Sequence, residues 1–108
     1  MTATALVIYH GTVSDAARFR DHYENVHVPL LWNLPGLRRV DLDWDEEGDV
    51  RLVAHLIFDS LEQLRESLRG PARAALKADM ETNLAPLFSG SVLRSEAERV
   101  VFSTAVQS

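Results

Sequence analysis

The chain contains no cysteine, which excludes disulfides, thiolate metal sites and a cysteine nucleophile. Basic residues are in short supply as well: 11 Lys and Arg stand against 16 Asp and Glu, and they are scattered rather than gathered into a stripe. Nucleic-acid binding starts from a positive field over the phosphates, so a formal charge of -5 argues against it. No apolar run is long enough to span a membrane, and the opening MTATALVIYHGTV lacks the basic segment of a secretion signal. The expectation is a cytoplasmic protein with no membrane contact. G-x-G-x-x-G, P-loop and G-x-S-x-G motifs are also missing. No two histidines have metal-site spacing, since His22 and His27 are five apart and diverge around a helix. Neither a metal nor an organic cofactor is expected, although a haem iron would need only one histidine.

What is present is 108 residues with 46% hydrophobic composition, enough for one domain over residues 1–108 and too little for two of ordinary size. A deep cavity inside so small a protomer would use up much of its packing, so a sizeable pocket calls for a second subunit. There is no internal repeat and no low-complexity segment.

Thr4 to Tyr9 is a short β-rich run ended by His10-Gly11. Ser14 offers an N-cap and Asp15 puts negative charge in the first turn of a helix running to about His27. Phe19, Tyr23, Val26 and Leu30 fall at i, i+4, i+7 and i+11, which places them on one apolar stripe. Pro29 pushes Val28 out of the α region, so the helix should stop near His27, leaving the imidazole among the last unsatisfied carbonyls.

After the Leu34-Pro35-Gly36 turn, Leu37 to Trp44 alternates with period 2. Asp45 to Asp49 makes a polar turn into the strand Arg51 to Phe58, giving an antiparallel hairpin. Asp59-Ser60 caps a helix carrying Leu61, Leu64 and Leu68. Gly70-Pro71 breaks that helix and starts another, with Ala75, Leu76, Met80 and Leu84 on its apolar side. Ser89-Gly90-Ser91 suggests a loop, and Arg99 to Phe102 reads as the last strand.

The order β-α-β-β-α(α)-β indicates an α+β, ferredoxin-like sandwich: a four-stranded antiparallel sheet with helices on one face. In the third strand Leu52, Ala54, Leu56 and Phe58 share one face and Val53, His55 and Ile57 the other, so both faces are largely apolar. A homodimer that closes two sheets into a barrel-like interior would cover the second face.

Of the four histidines, His27 is the strongest candidate for acid–base chemistry. A helix C-terminus favours the imidazolium by roughly 0.3 to 1 kcal/mol while burial beside Tyr23 and Leu30 opposes it, and opposed effects can poise a histidine near neutral pH. The alternative is that His27 only caps the helix. His10 could reach the same region from the end of the first strand, or be a loop residue. His55 lines the interior or sits in a dimer contact, and His22 is a surface residue on the opposite flank of the stripe. Tyr9 and Tyr23 can donate hydrogen bonds to a carbonyl or enolate oxygen, though Tyr23 also belongs to the core stripe. Trp32 and Trp44 are candidate walls for a flat apolar ligand, and Asp41 and Asp43, beside Arg39, read as a solvated or ion-paired face.

The segment FRDHYENVHVPLLWNLPGL, with Phe19, Tyr23, His27, Pro29 and Leu30 before Leu34-Pro35-Gly36-Leu37, resembles the EthD family of the dimeric α/β-barrel superfamily. Phe58-Asp59-Ser60 before a helix adds to the likeness, which runs from about Ala5 to Phe102. The resemblance implies a ferredoxin-like homodimer with a pocket between sheet and helices. The family is named for a protein needed in ether degradation and is catalogued among oxidoreductases. Similar domains serve as cofactor-independent isomerases in lactone catabolism and as cyclases or dehydratases in polyketide assembly. Only His27 matches the family's candidate functional histidine, with Tyr23 beside it.

Three functions are therefore in view. The first is a cofactor-independent enzyme that moves a proton on a carbonyl-containing apolar or aromatic small molecule, with His27, Tyr23 and His10 as catalytic candidates and Tyr9, Trp32, Trp44 and His55 as binding candidates. The second is an EthD-type oxidoreductase, a monooxygenase or an accessory to an oxidising system. The third is a noncatalytic ligand-binding dimer.

Overall fold

The computed structural model describes residues 2–47 and 50–104. Its strands are β1 (Thr2–Val13), β2 (Leu37–Trp44), β3 (Val50–Phe58) and β4 (Phe88–Arg99), antiparallel in the order β2-β3-β1-β4. The helices are α1 (Ala16–His22), α2 (Val28–Leu31), α3 (Leu61–Arg69) and α4 (Ala72–Asp79), packed on one face of the sheet in the expected ferredoxin-like arrangement. Two five-residue π turns, Tyr23–His27 and Met80–Leu84, follow α1 and α4. Among the described residues no helix is long and apolar enough to cross a membrane.

Period-2 alternation determines which residues the helices cover. Ala5, Leu56 and Val40 are register partners on the covered face, as are Tyr9, Leu52 and Trp44. With Phe19, Tyr23, Phe58, Leu64 and Leu84 they form the core. Each fully buried large apolar side chain contributes roughly 1.5–3 kcal/mol relative to exposure. The opposite face carries Leu6, Ile8, Val53 and Ile57, together with His55 and Asp43. Both faces of β3 are apolar, as its alternation predicts.

Several expectations are corrected. Ser14 does not cap the first helix; Asp15 does, accepting from the Arg18 N–H at 3.1 Å, while Ser14 bonds the Leu87 carbonyl. Of the Asp59-Ser60 pair expected to cap the next helix, Ser60 does so, accepting from the Gln63 N–H. The tip of the β2–β3 turn lies outside the described residues.

The first strand continues past His10-Gly11 to Val13, and the last strand is Phe88–Arg99 rather than Arg99–Phe102. The reason is the pairing of Gly11 with Gly90, at φ 154° and 153°, which lets the two backbones pass closely and carries the ladder on to Val13 and Phe88. Ser89-Gly90-Ser91 is thus strand, not loop.

The largest departure is in the first helix, which does not stop at His27. The Val28 N–H donates to the Tyr23 carbonyl, an i→i+5 bond that adds one residue to the turn. The buried positions become Phe19, Tyr23, His27 and Leu31, while Val26 is 43% exposed. The widened turn also accommodates Pro29, whose ring in a regular helix would meet the carbonyl four residues back.

Met80–Leu84 repeats the device. The Ala85 N–H donates to the Met80 carbonyl, and Pro86 follows. Aligned on these turns, YENVHVPL and METNLAPL place Glu24 on Glu81, Pro29 on Pro86 and His22 on Asp79. The chain therefore does hold a short internal correspondence, which the fold's two βα halves make visible.

A Cβ on Gly11 would collide with the Ser89 carbonyl oxygen, at a backbone φ that side chains rarely adopt. Gly11→Ala is expected to destabilise the domain by about 1–3 kcal/mol, read as a lowered urea midpoint with unchanged m-value. An unchanged midpoint would refute the close-crossing account.

Candidate functional site

The extra residue in the first π turn brings His27 inward until it is 6% exposed. Its Nδ1 lies 2.8 Å from Oδ2 of Asp79, the last residue of α4. The other oxygen, Oδ1, lies 2.8 Å from His22 Nε2 and 2.9 Å from Asn83 Nδ2. An ionised carboxylate only accepts, so all three nitrogens donate. This fixes His27 with its proton on Nδ1 and leaves Nε2 an unprotonated base, without a hydrogen-bond partner among the described residues.

Burial pushes the His27 imidazole below its ordinary 6.5; the bond to Asp79 and its negative charge pull upward, and nearby His22 pushes down again. The residue is therefore neutral at pH 7. Burial alone would raise the Asp79 carboxyl, but the hydrogen bonds from His27, Asn83 and His22 outweigh it and hold the group below 3.8. His22 is a part-buried partner of the carboxylate rather than a surface residue.

His27 lines a cavity of about 600 Å³ between the covered face of the sheet and the helices. Its walls include Ala5, Val7, Leu31, Leu56, Leu68, Leu76 and Met80. Tyr9 and Tyr23 line it as well. Burial pushes the Tyr9 phenol up to about 12, against the lowering effect of Arg94; Tyr23 is raised well above 10, again by burial first and then by Tyr9. Both remain hydrogen donors at neutral pH. The Tyr23 ring lies 4.8 Å from the imidazole and 5.8 Å from Tyr9, centroid to centroid. This pocket sits within one chain, correcting the expectation that a cavity of this size needs a second subunit. Small residues on its walls, Ala5 from β1 and Ala74 from α4, leave the room.

The structure thus brings together His27, Tyr23 and Tyr9, and leaves the other candidates elsewhere. His10 is exposed on β1, beyond a register shift, and does not reach the cavity. His55 is on the opposite sheet face, its Nε2 2.8 Å from Asp43 Oδ2. Trp32 is 53% exposed. Trp44 packs edge-on behind Phe19 and Tyr23 and donates from Nε1 to Glu24 Oε2, outside the cavity lining. Asp41 pairs with Arg39.

Sequence reading missed Asp79, Asn83 and Arg94. One signal for Asp79 was available: it stands three residues after Leu76 and one before Met80, a carboxylate on the apolar side of its helix. Among the described residues no group of three or more His, Asp or Glu side chains could hold a metal ion.

The EthD domain family model matches residues 14–85. No curated protein matches the chain. Among solved structures, an EthD family protein of Bacillus halodurans is 24% identical with a TM-score of 0.73, covering 93% of this chain and 100% of its own. A monooxygenase of Streptomyces coelicolor, in complex with nanaomycin D, is 13% identical with a TM-score of 0.70, covering 95% of this chain and 92% of its own. A dimeric protein of ferredoxin-like fold from Bacteroides fragilis is 10% identical with a TM-score of 0.64, covering 91% and 96%. These likenesses establish a shared fold.

Because the folded His27 pKa lies below the unfolded value of 6.5, the unfolded chain binds a proton near pH 6 that the folded chain refuses. Stability from this group is present above pH 6.5 and is lost as pH falls through the folded pKa. NMR titration is expected to place His27 below 6.5 and lower still in Asp79→Asn, and the stability slope near pH 6 is expected to flatten in His27→Gln. Asp79→Ala, which strips three donors of their acceptor, is expected to cost about 2 kcal/mol by denaturant titration. A His27 pKa above 6.5 would overturn the assignment.

Proposed function

Since the chain belongs to the EthD domain family, we propose that it is a small enzyme that moves a proton on a carbonyl-containing, apolar or aromatic molecule held between sheet and helices. The observation that carries this reading is the 2.8 Å bond from His27 Nδ1 to Asp79. A carboxylate behind one ring nitrogen orients the imidazole and presents the other nitrogen as a base, the logic common to His–Asp pairs.

The chemistry follows from these groups. Nε2 takes a proton from a carbon activated by the adjacent carbonyl. Asp79 stabilises the imidazolium that forms, and the charge gathering on the substrate oxygen meets the hydroxyl of Tyr9 or Tyr23. Returning the proton to a different carbon completes an isomerisation, and the same enolate can close a ring or expel a leaving group. Mostly apolar walls around the imidazole strengthen each of these interactions.

A second reading is favoured by the fold shared with the Streptomyces coelicolor monooxygenase: the enolate formed by His27 would react with molecular oxygen rather than regain its proton. Both readings begin with the same deprotonation. We also take the working unit to be a homodimer joined through the sheet face that bears Leu6, Ile8 and Val53. The dimeric Bacteroides fragilis protein of this fold supports that assembly.

Exchange of substrate C–H for deuterium in D2O, across a panel of enolisable aryl ketones, tests the shared step. The wild type is expected to accelerate exchange, and His27→Ala to lose about 100-fold or more; a loss within about threefold would remove His27 from the mechanism. Oxygen uptake matching substrate loss favours the oxidative branch. Saturable binding with neither exchange nor uptake would make the protein a binder and overturn the proposal. Light scattering after gel filtration is expected to report a dimer, and Ile8→Glu a monomer; a monomeric wild type would refute the assembly.

A further inference from the structure

The cavity that His27 lines also carries unexpected charge. Arg73 and Lys77, four residues apart on α4 and so on one helix face, line it together with Arg94, which stands on β4 opposite Val7 on the covered side of the sheet. All three are exposed, so they form the mouth rather than the floor. In a chain of formal charge -5, this cationic grouping faces a single lining carboxylate, Glu96, and that group is engaged by Arg65 at 3.4 Å.

The two cavity arginines are also free to take a ligand. Arg20, Arg38 and Arg39 each hold a carboxylate within 3.2 Å. Arg73 and Arg94 have no side-chain hydrogen bond or ion pair among the described residues, and Lys77 reaches Glu81 only at 3.9 Å. We propose that Arg94, with Arg73 and Lys77 beside the same opening, binds the carboxylate of an otherwise apolar substrate whose body fills the cavity toward His27. The guanidinium fork suits a planar two-oxygen anion, and the apolar walls suit an aromatic or aliphatic body. Burial raises the pKa of both Tyr9 and Tyr23 and Arg94 acts against it, so its positive field extends over the two phenols that line the cavity. Arg94 is thus a binding and positioning residue that orders the substrate with its anionic end outward and its apolar end inward. This inference rests on the reading of the cavity as the substrate site.

Titration calorimetry with 2-naphthoate and its neutral isostere 2-naphthamide at pH 7 tests it in the intact protein. The carboxylate is expected to bind about tenfold or more tighter than the amide, with the advantage shrinking as NaCl is raised. Arg94→Met is expected to erase the preference and Arg94→Lys to keep part of it; both substitutions fall at one exposed residue, and unchanged circular dichroism confirms the fold. Equal affinities, a preference that survives Arg94→Met, or no saturable carboxylate binding would each overturn the proposal. His27→Gln is expected to keep the carboxylate preference. A failed deuterium exchange with a preserved preference therefore counts against the acid–base reading alone, and a lost preference with intact exchange against this one alone.

Discussion

A buried carboxylate that accepts from two histidines and an asparagine joins segments 52 and 57 residues apart in the chain. Asp79 cannot be replaced by an apolar side chain without leaving three donors short of an acceptor, nor protonated without losing its hold on them. The relative placement of the two helical arms, the tautomer of His27 and the availability of its second nitrogen all follow from this one group. Within the short correspondence between the two arms, Asp79 occupies the position of His22, so the carboxylate and one of its donors are counterparts that meet across the fold. The position equivalent to His27 is Leu84, fully buried in the core. One arm supplies His27 and the other the carboxylate that orients its ring.

The two faces of the sheet have separate duties. One face, with Ala5, Leu56 and Tyr9, lies beneath the helices and floors the cavity. The other carries Leu6, Ile8 and Val53 beside a polar edge where Asp41 meets Arg39 and Asp43 meets His55. Because successive residues of a strand point to opposite sides, changes on one face leave the other nearly untouched. The cavity floor and the outer face can therefore vary independently on a sheet of four strands.

The strand Leu37–Trp44 was legible by its alternation and the one ending at Phe58 by its apolar run after a polar turn, and Ser60 was legible as a cap by its chemistry. β4 was not. It is an edge strand, and Glu96, Glu98 and the serines around Gly90 are exposed, so burial leaves no period in it. His27 was legible as a candidate, but for a reason the structure replaces: it lies within a continuing helical arm, not at a helix end. The stripe ending in Val26 and Leu30 assumed 3.6 residues per turn, and a single i→i+5 bond moved burial to His27 and Leu31. Asp79 was hidden because a carboxylate is tolerable in a core only when its donors are known, and those come from the other helical arm.

The π turn between Tyr23 and Pro29 acts as a ruler that counts residues. Deleting Glu24, Asn25 or Val26 would remove the added residue and swing the imidazole about one position around the axis, away from Asp79. Length therefore matters in that stretch as well as identity. An outward position such as Val26 has room for other side chains, yet a one-residue deletion there would part His27 from Asp79 while leaving both residues in the chain.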